Sequence, residues 1–138
     1  MQNVFEWVTT PLFGATSNSL TDHDSGEILE GIAVEIPSDF AGNESEENRT
    51  AVLAYVSAHE LGHLLGLQHN FIDSLGTSFQ TVMGYFSAQE RIAIGKTILS
   101  NRSSSNYDRA AIDFIYGSGN WSDVLTEQYK CDGSPACP

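Results

Sequence analysis

The chain has few basic residues and no long apolar run. Six lysines and arginines stand against 18 aspartates and glutamates, which gives a net charge of −12 over 138 residues. Such a surface repels phosphate backbones and anionic lipids, so the sequence argues against nucleic-acid binding and against attachment to a charged membrane. No stretch approaches the ~18 consecutive apolar residues of a membrane-spanning helix. We interpret the acidity as a source of solubility.

Cysteine is scarce as well. The two cysteines, Cys131 and Cys137, lie in a tail that also contains glycine and proline. They can close a small disulfide loop in an oxidising compartment, or pair with residues of a longer chain. An apolar content of 41% with 10% aromatic residues is typical of a folded protein, and the length predicts one domain over residues 1–138.

Histidine is rare but concentrated. Three of the four histidines fall in the single segment HELGHLLGLQH. His59 and His63 are four residues apart, so on a helix they lie on one face, with Glu60 beside them. Gly66 allows the chain to leave the helix, and His69 can then return to the same point. Three imidazoles and a carboxylate are the composition of a catalytic zinc site with one open coordination position.

A second element supports this interpretation. The short string HExxH has a real false-positive rate, but the extended form HExxHxxGxxH also predicts a tight turn around a methionine further along the chain. Apart from the first residue, Met83 is the only methionine, and it lies in the segment TVMGY. We expect its thioether to pack beneath the ligand imidazoles without binding the metal.

These residues resemble the metzincins, zinc metallopeptidases with three histidine ligands, a glutamate base and a methionine turn, the Met-turn. More closely, the chain resembles large secreted bacterial zinc metalloproteases in which Asn-Phe follows the third histidine, as in residues 69–71. Further matches are NVFEWV at 3–8, DSGEIL at 24–29 and YDRAAI at 107–112. The resemblance implies an α+β, zincin-like fold: a small mixed sheet over an active-site helix, with a C-terminal helix below the Met-turn.

The same resemblance implies a division of the domain. Residues 1–66 would form an upper part with the sheet and the active-site helix. Residues 67–120 would form a lower part with the third ligand, the Met-turn and the C-terminal helix, and 121–138 a tail. It also implies an N-terminally truncated domain and a secreted or periplasmic location, although no signal peptide is visible.

The function expected from this site is that of a zinc-dependent endopeptidase acting on a peptide or protein substrate. One Zn²⁺ would be held by His59, His63 and His69, while Glu60 takes a proton from the attacking water and passes it to the leaving amine. Tyr85 either assists at the oxyanion or is a core aromatic residue. Two alternatives are a zinc-stabilised binding or structural module without a working cleft, and a zinc hydrolase acting on something other than peptides.

The periodicity of the sequence predicts the regular elements. Strands are expected at 3–8 and 27–36, a loop at 9–24, and helices at about 46–65, 87–94 and 107–116. The second of these helices starts at a capping box formed by Ser87 and Glu90. Residues 32–36 are either the sheet edge that borders the cleft and pairs with substrate, or an ordinary buried strand.

Two helices are expected to bury an apolar stripe. On the first, the residues are Ala51, Val52, Tyr55, Val56, Leu61, Leu64 and Leu65. On the last, they are Ala110, Ala111, Phe114 and Ile115.

Four polar residues around the motif complete the expectations. Asn70 and Asp73 are candidates to orient a ligand histidine through its second ring nitrogen. Asp108 is either a helix cap or a buried partner. His23, in a polar turn, is expected to be exposed and outside the site.

Overall fold

The computed structural model describes residues 4–8, 15–25, 28–37, 44–70, 81–101 and 105–123. Within these ranges the elements are β1 (Val4–Val8), β2 (Thr16–Thr21), β3 (Ile28–Pro37), α1 (Glu46–Leu64), α2 (Ala88–Asn101) and α3 (Asn106–Ile115). The two predicted strands and the two long predicted helices are thus found within one or two residues of their expected ends.

The three strands form a mixed sheet in the order β1-β3-β2. β1 runs parallel to β3, with Val4 opposite Ala33, and β2 runs antiparallel to β3, with Thr16 opposite Glu35. The central strand therefore has a partner on each side. Residues 32–36 cannot be the free edge that a substrate would pair with, so of the two alternatives for this segment the substrate edge is wrong.

β2 is the strand that was not predicted. Its sequence, TSNSLT, is polar and lacks the apolar alternation of a half-buried strand, so residues 9–24 were expected to form a loop. The strand exists because its backbone pairs with β3, and two irregularities interrupt the register, at Asn18/Ser19 and Leu20/Thr21. Pairing of this kind comes from tertiary context and leaves no periodic signal in a short polar segment.

α1 begins at a well-defined cap. The Ser45 side chain accepts a hydrogen bond from the backbone N–H of Asn48 at 3.3 Å, and Glu46 and Glu47 occupy the positive end of the helix dipole. Its apolar face joins one core cluster, made of Val52, Tyr55, Val56, Phe86 and Ile94. Leu61, predicted to be on this face, is 43% exposed, so for this residue the prediction is wrong.

α2 crosses α1 at very short range. An added Cβ on Gly95 would lie 1.8 Å from the carbonyl oxygen of Ala51. The capping box is confirmed, since the Ser87 N–H donates to Glu90 Oε2 at 2.8 Å and the Glu90 N–H to Ser87 Oγ at 3.4 Å. The helix extends seven residues beyond the predicted end at Ile94. It continues through Gly95, a weak helix former whose small size fits the close crossing with α1.

α3 buries only its first turns. Asp108 and Ala111 are buried, but Phe114 and Ile115 are 43% and 48% exposed, contrary to the prediction that they face inward. Helical periodicity locates an apolar stripe but does not show how far along the helix its packing partner reaches. Phe114 instead contacts Trp121, with ring centroids 5.3 Å apart.

Of the helices in the described ranges, none combines the length and the apolar character needed to cross a membrane.

Candidate metal centre

The end of α1 turns the chain back on itself. Gly66 has a φ of 93°, the left-handed region that favours glycine. The Gly66 N–H donates to the His63 carbonyl at 3.0 Å, and the Leu67 N–H donates to the Gly62 carbonyl at 2.9 Å. These two bonds form a Schellman motif, which ends the helix and redirects the chain. The left-handed conformation predicted for Gly66 is confirmed, and His69 follows three residues later.

The three histidines of the motif meet at one point. His69 Nε2 lies 3.2 Å from His59 Nε2 and 3.1 Å from His63 Nε2. All three ligand atoms lie within 4.8 Å of one another, and each ring is half-buried. The spacing that suggested a shared metal site therefore does bring the side chains together.

The hydrogen-bond partners of Nδ1 indicate the tautomer of two of these imidazoles. His59 Nδ1 lies 2.7 Å from the carbonyl oxygen of Val82, and His63 Nδ1 lies 2.9 Å from that of Leu67. A carbonyl can only accept, so each Nδ1 must carry the proton. Both Nε2 atoms consequently present lone pairs to the centre of the cluster.

This arrangement fits a zinc ion. At Zn–N distances of about 2.0–2.1 Å, two nitrogens of a tetrahedral site lie about 3.3 Å apart, close to the 3.1 and 3.2 Å found here. Burial is the main cause that lowers the pKa of His59 and of His69, which favours the neutral imidazoles that bind metals. Converging lone pairs on neutral rings are a donor set that a cation would stabilise.

Met83 lies directly against the helix that carries the histidines. It is fully buried, and an added Cβ on Gly62 would lie 2.4 Å from its sulfur. Gly62, which lies between His59 and His63 in the sequence, therefore leaves the space that the Met83 thioether fills. This role of Gly62 was not predicted, although a glycine inside a helix, where it costs about 1 kcal/mol relative to alanine, is a usable signal.

Asp108 fixes the backbone of the Met-turn. Its carboxylate accepts from Thr81 Oγ1 at 2.5 Å, from the Val82 N–H at 2.9 Å and from Ser105 Oγ at 2.9 Å. Of the two roles left open, the buried partner is the right one, because the N-cap of α3 is Ser105. Burial is the largest influence on the pKa of Asp108 and raises it, while the hydrogen bonds oppose that shift.

Comparison with known families agrees with this geometry. Residues 41–128, well over half of the chain, match the sequence model of a family described as Met-zincin. The chain belongs to the Met-zincin family. The matched range includes the three histidines, Glu60 and the Met-turn, and membership supports a zincin-like fold. No curated protein and no solved structure matches the chain.

In this Met-zincin, Glu60 is buried beside the cluster. Its side chain is only 6% exposed. The pKa of His69 is lowered by burial and by the two neighbouring histidines, and the negative charge of Glu60 acts in the opposite direction. The negative charge of Glu60 therefore favours the protonated form of the third imidazole, against the larger effect of burial.

Tyr55 supports the Met-turn from the helix side. Its hydroxyl donates to the Gly84 carbonyl at 2.8 Å, and burial raises its pKa to about 12. Its ring packs edge-on against Phe86, with centroids 5.9 Å apart. The Met-turn of the Met-zincin is thus held by α1 through Tyr55 and by α3 through Asp108. Tyr55 was expected only as an apolar-face residue, and its hydrogen bond could not be foreseen from spacing.

Tyr85 lies at the edge of the site and is not a core residue. It is 55% exposed, which rules out the core-aromatic interpretation. Its hydroxyl lies 3.3 Å from His69 Nδ1, and the two ring centroids are 4.6 Å apart. The hydroxyl therefore faces the ring nitrogen that points away from the cluster.

Three further polar residues were considered from the sequence: Asn70, Asp73 and His23. Asn70 is buried, and its backbone N–H donates to the Met83 carbonyl at 3.0 Å, which ties the third-ligand segment to the Met-turn. Asp73 lies outside the described residues. His23 is fully exposed and lies outside the cluster, as predicted.

A first test concerns the helix end. Gly66→Ala is expected to lower the free energy of unfolding by about 1–2 kcal/mol, because a Cβ is disfavoured at positive φ, and to weaken metal binding by displacing His69. Gly117→Ala is the matched control, since Gly117 has a φ of 79° and open space around it. Chemical denaturation and zinc titration measure both effects. Equal zinc affinity in the two variants would contradict the role given to Gly66.

A second test concerns pH. Because burial lowers the pKa of His59 and His69, the unfolded chain binds more protons than the folded chain just below the reference pKa of 6.5. The stabilisation that these two histidines contribute to the metal-free protein should be fully present above that pH and should be lost as pH falls below it. Urea midpoints at neutral and mildly acidic pH measure the slope, which should be smaller in a His59→Asn, His69→Asn double variant. An equal slope in both proteins would refute the assignment.

Proposed function

We propose that this Met-zincin is a zinc-dependent endopeptidase. The observation that carries the proposal is the convergence of three imidazole nitrogens beside a buried glutamate, in a chain of this family. A zinc ion bound by His59, His63 and His69 would supply Lewis-acid polarisation of the scissile carbonyl and lower the pKa of a water molecule.

Glu60 is the proposed general base. Its carboxylate is buried next to the histidine cluster, and α1 holds it rigidly beside His59. In this role it accepts a proton from the attacking water and returns that proton to the leaving amine. The Nε2 atoms of the three histidines would hold the metal and so would not be available for this step.

The sheet offers a place for an extended substrate. In the described part of the chain, β2 pairs with a neighbouring strand on one side only, and it contacts α1. An extended peptide can add to such an edge through backbone hydrogen bonds, which favours peptides over other substrates of zinc hydrolases. We therefore propose that an extended substrate pairs with β2 and not with residues 32–36. The secreted or periplasmic location stays a prediction.

The decisive experiment is Glu60→Gln. This variant should bind zinc with wild-type stoichiometry and lose about 10²–10⁴-fold in peptide cleavage, the usual contribution of a general base. Glu46→Gln, at an exposed position in the first turn of the same helix, is the matched control and should retain full turnover. Zinc content and cleavage of a peptide library are measured on the same samples.

Two results would overturn the proposal. Full turnover in Glu60→Gln would remove the general base from the mechanism. A wild-type chain that binds zinc stoichiometrically but cleaves no peptide would instead be a zinc-stabilised binding module.

A further inference from the structure

The third histidine is held differently from the other two. His59 and His63 each direct Nδ1 to a backbone carbonyl, but His69 directs Nδ1 to the Tyr85 hydroxyl. A carbonyl only accepts a hydrogen bond, whereas a hydroxyl can either donate or accept. The Tyr85 hydroxyl is therefore compatible with either tautomer of His69.

The metal-free and the metal-bound cluster favour different tautomers of His69. Without a metal, His69 Nε2 lies 3.1–3.2 Å from two nitrogens that carry lone pairs, so a proton on this Nε2 makes a hydrogen bond where a third lone pair would be repelled. Nδ1 is then an acceptor, and Tyr85 donates to it. With a metal, Nε2 must offer its lone pair, so Nδ1 carries the proton and donates to the Tyr85 oxygen.

We propose that Tyr85 is the positioning residue of the third ligand, His69, and that its hydroxyl lets the imidazole change tautomer when metal binds. This inference rests on the proposed zinc site. It differs from a role at the oxyanion, because the hydroxyl contacts the outer nitrogen of a ligand and not the side on which the three Nε2 atoms converge.

The exchange conserves protons at both groups. One proton leaves His69 Nε2 and one is gained at Nδ1, so the ring is neutral before and after. The phenol keeps its own proton, which rotates from Nδ1 towards solvent, and the exposure of Tyr85 makes water available there. The ring contact, at 4.6 Å between centroids, keeps the two side chains together in both states.

The first experiment compares Tyr85→Phe with Tyr116→Phe. Tyr85→Phe keeps the ring against His69 and removes only the hydroxyl, and Tyr116 is an exposed tyrosine at the end of α3 that serves as the matched control. Zinc affinity, measured by chelator competition, should fall about tenfold in Tyr85→Phe, as for other partners of metal-binding histidines, and stay unchanged in Tyr116→Phe.

The second experiment observes the tautomer directly. ¹H–¹⁵N long-range NMR of the wild-type imidazoles, recorded well above the histidine reference pKa of about 6.5, should show His69 protonated on Nε2 without zinc and on Nδ1 with zinc. His59 and His63 should be protonated on Nδ1 in both states. This readout does not depend on peptide cleavage.

The outcomes separate the two proposals. A Tyr85→Phe variant with wild-type zinc affinity but a reduced turnover number would overturn the positioning role and support an oxyanion role. A His69 that is protonated on Nδ1 without zinc would overturn the tautomer exchange. Zinc binding that weakens as proposed, in a wild-type chain that cleaves no peptide, would uphold Tyr85 and overturn only the peptidase.

Discussion

Replacing Asp108 with alanine is expected to lower the free energy of unfolding by about 3–5 kcal/mol. The carboxylate is 1% exposed and accepts from Thr81, the Val82 N–H and Ser105. Each donor left buried without an acceptor costs about 1–3 kcal/mol. The total is smaller than the sum because the hydroxyl groups can accept hydrogen bonds from the other donors. The loss should appear as a lower midpoint in chemical denaturation.

The same change should weaken metal binding. Asp108 fixes the N–H of Val82, and the carbonyl of Val82 is the acceptor that sets the orientation of His59. Loss of a partner of this kind reduces metal affinity by about 10–100-fold. Asp108→Asn is expected to have a smaller effect than Asp108→Ala, because the amide keeps the shape of the side chain. It should still weaken metal binding, since its N–H₂ group faces groups that are themselves donors.

Asp113→Ala is the control for both effects. Asp113 lies on the same helix, is exposed, and should change stability by no more than about 0.5 kcal/mol. If Asp108→Ala were as mild as Asp113→Ala in both measurements, the Met-turn would not depend on α3.

Replacing Gly95 with alanine is the second change with a large expected effect. The new Cβ would lie 1.8 Å from the Ala51 carbonyl oxygen and 2.4 Å from its carbon. Both are backbone atoms, so no rotamer change can relieve the overlap and the two helices must separate. We expect a net destabilisation of at least about 2 kcal/mol, in spite of the roughly 1 kcal/mol that alanine gains over glycine in helix propensity.

Thr97→Ala is the matched control for helix propensity. Thr97 is exposed on the same helix, and its replacement should leave stability unchanged or raise it by a few tenths of a kcal/mol. Denaturation midpoints for the two variants should therefore move in opposite directions or differ by several-fold. A Gly95→Ala protein at least as stable as the wild type would show that the crossing of α1 and α2 is not close-packed.

The centre of the site was predictable because its signals are local. The spacing of His59 and His63 follows from the helical repeat, Gly66 marks the left-handed turn, and the capping box before α2 lies within four residues. Each of these features depends on neighbours along the chain, so the sequence alone could predict it.

What surrounds the centre depends on contacts between distant parts of the chain. β2 forms through pairing with β3 and not through its own polar sequence. The exposure of Leu61 and Phe114 depends on which element packs against each helix. The carbonyl of Val82 and the carboxylate of Asp108 are 23 and 26 residues from the groups they bind, and no spacing rule connects them.

The Schellman turn at the end of α1 also has a thermodynamic consequence. All three histidines lie within eleven residues of sequence, and the turn that brings them together needs only local hydrogen bonds. An unfolded chain can therefore chelate a metal through the same segment. Ligand binding stabilises a protein only to the extent that the folded state binds more tightly than the unfolded state. Zinc should therefore raise the melting temperature less than its affinity for the folded protein implies, and the increase should level off at high zinc concentration.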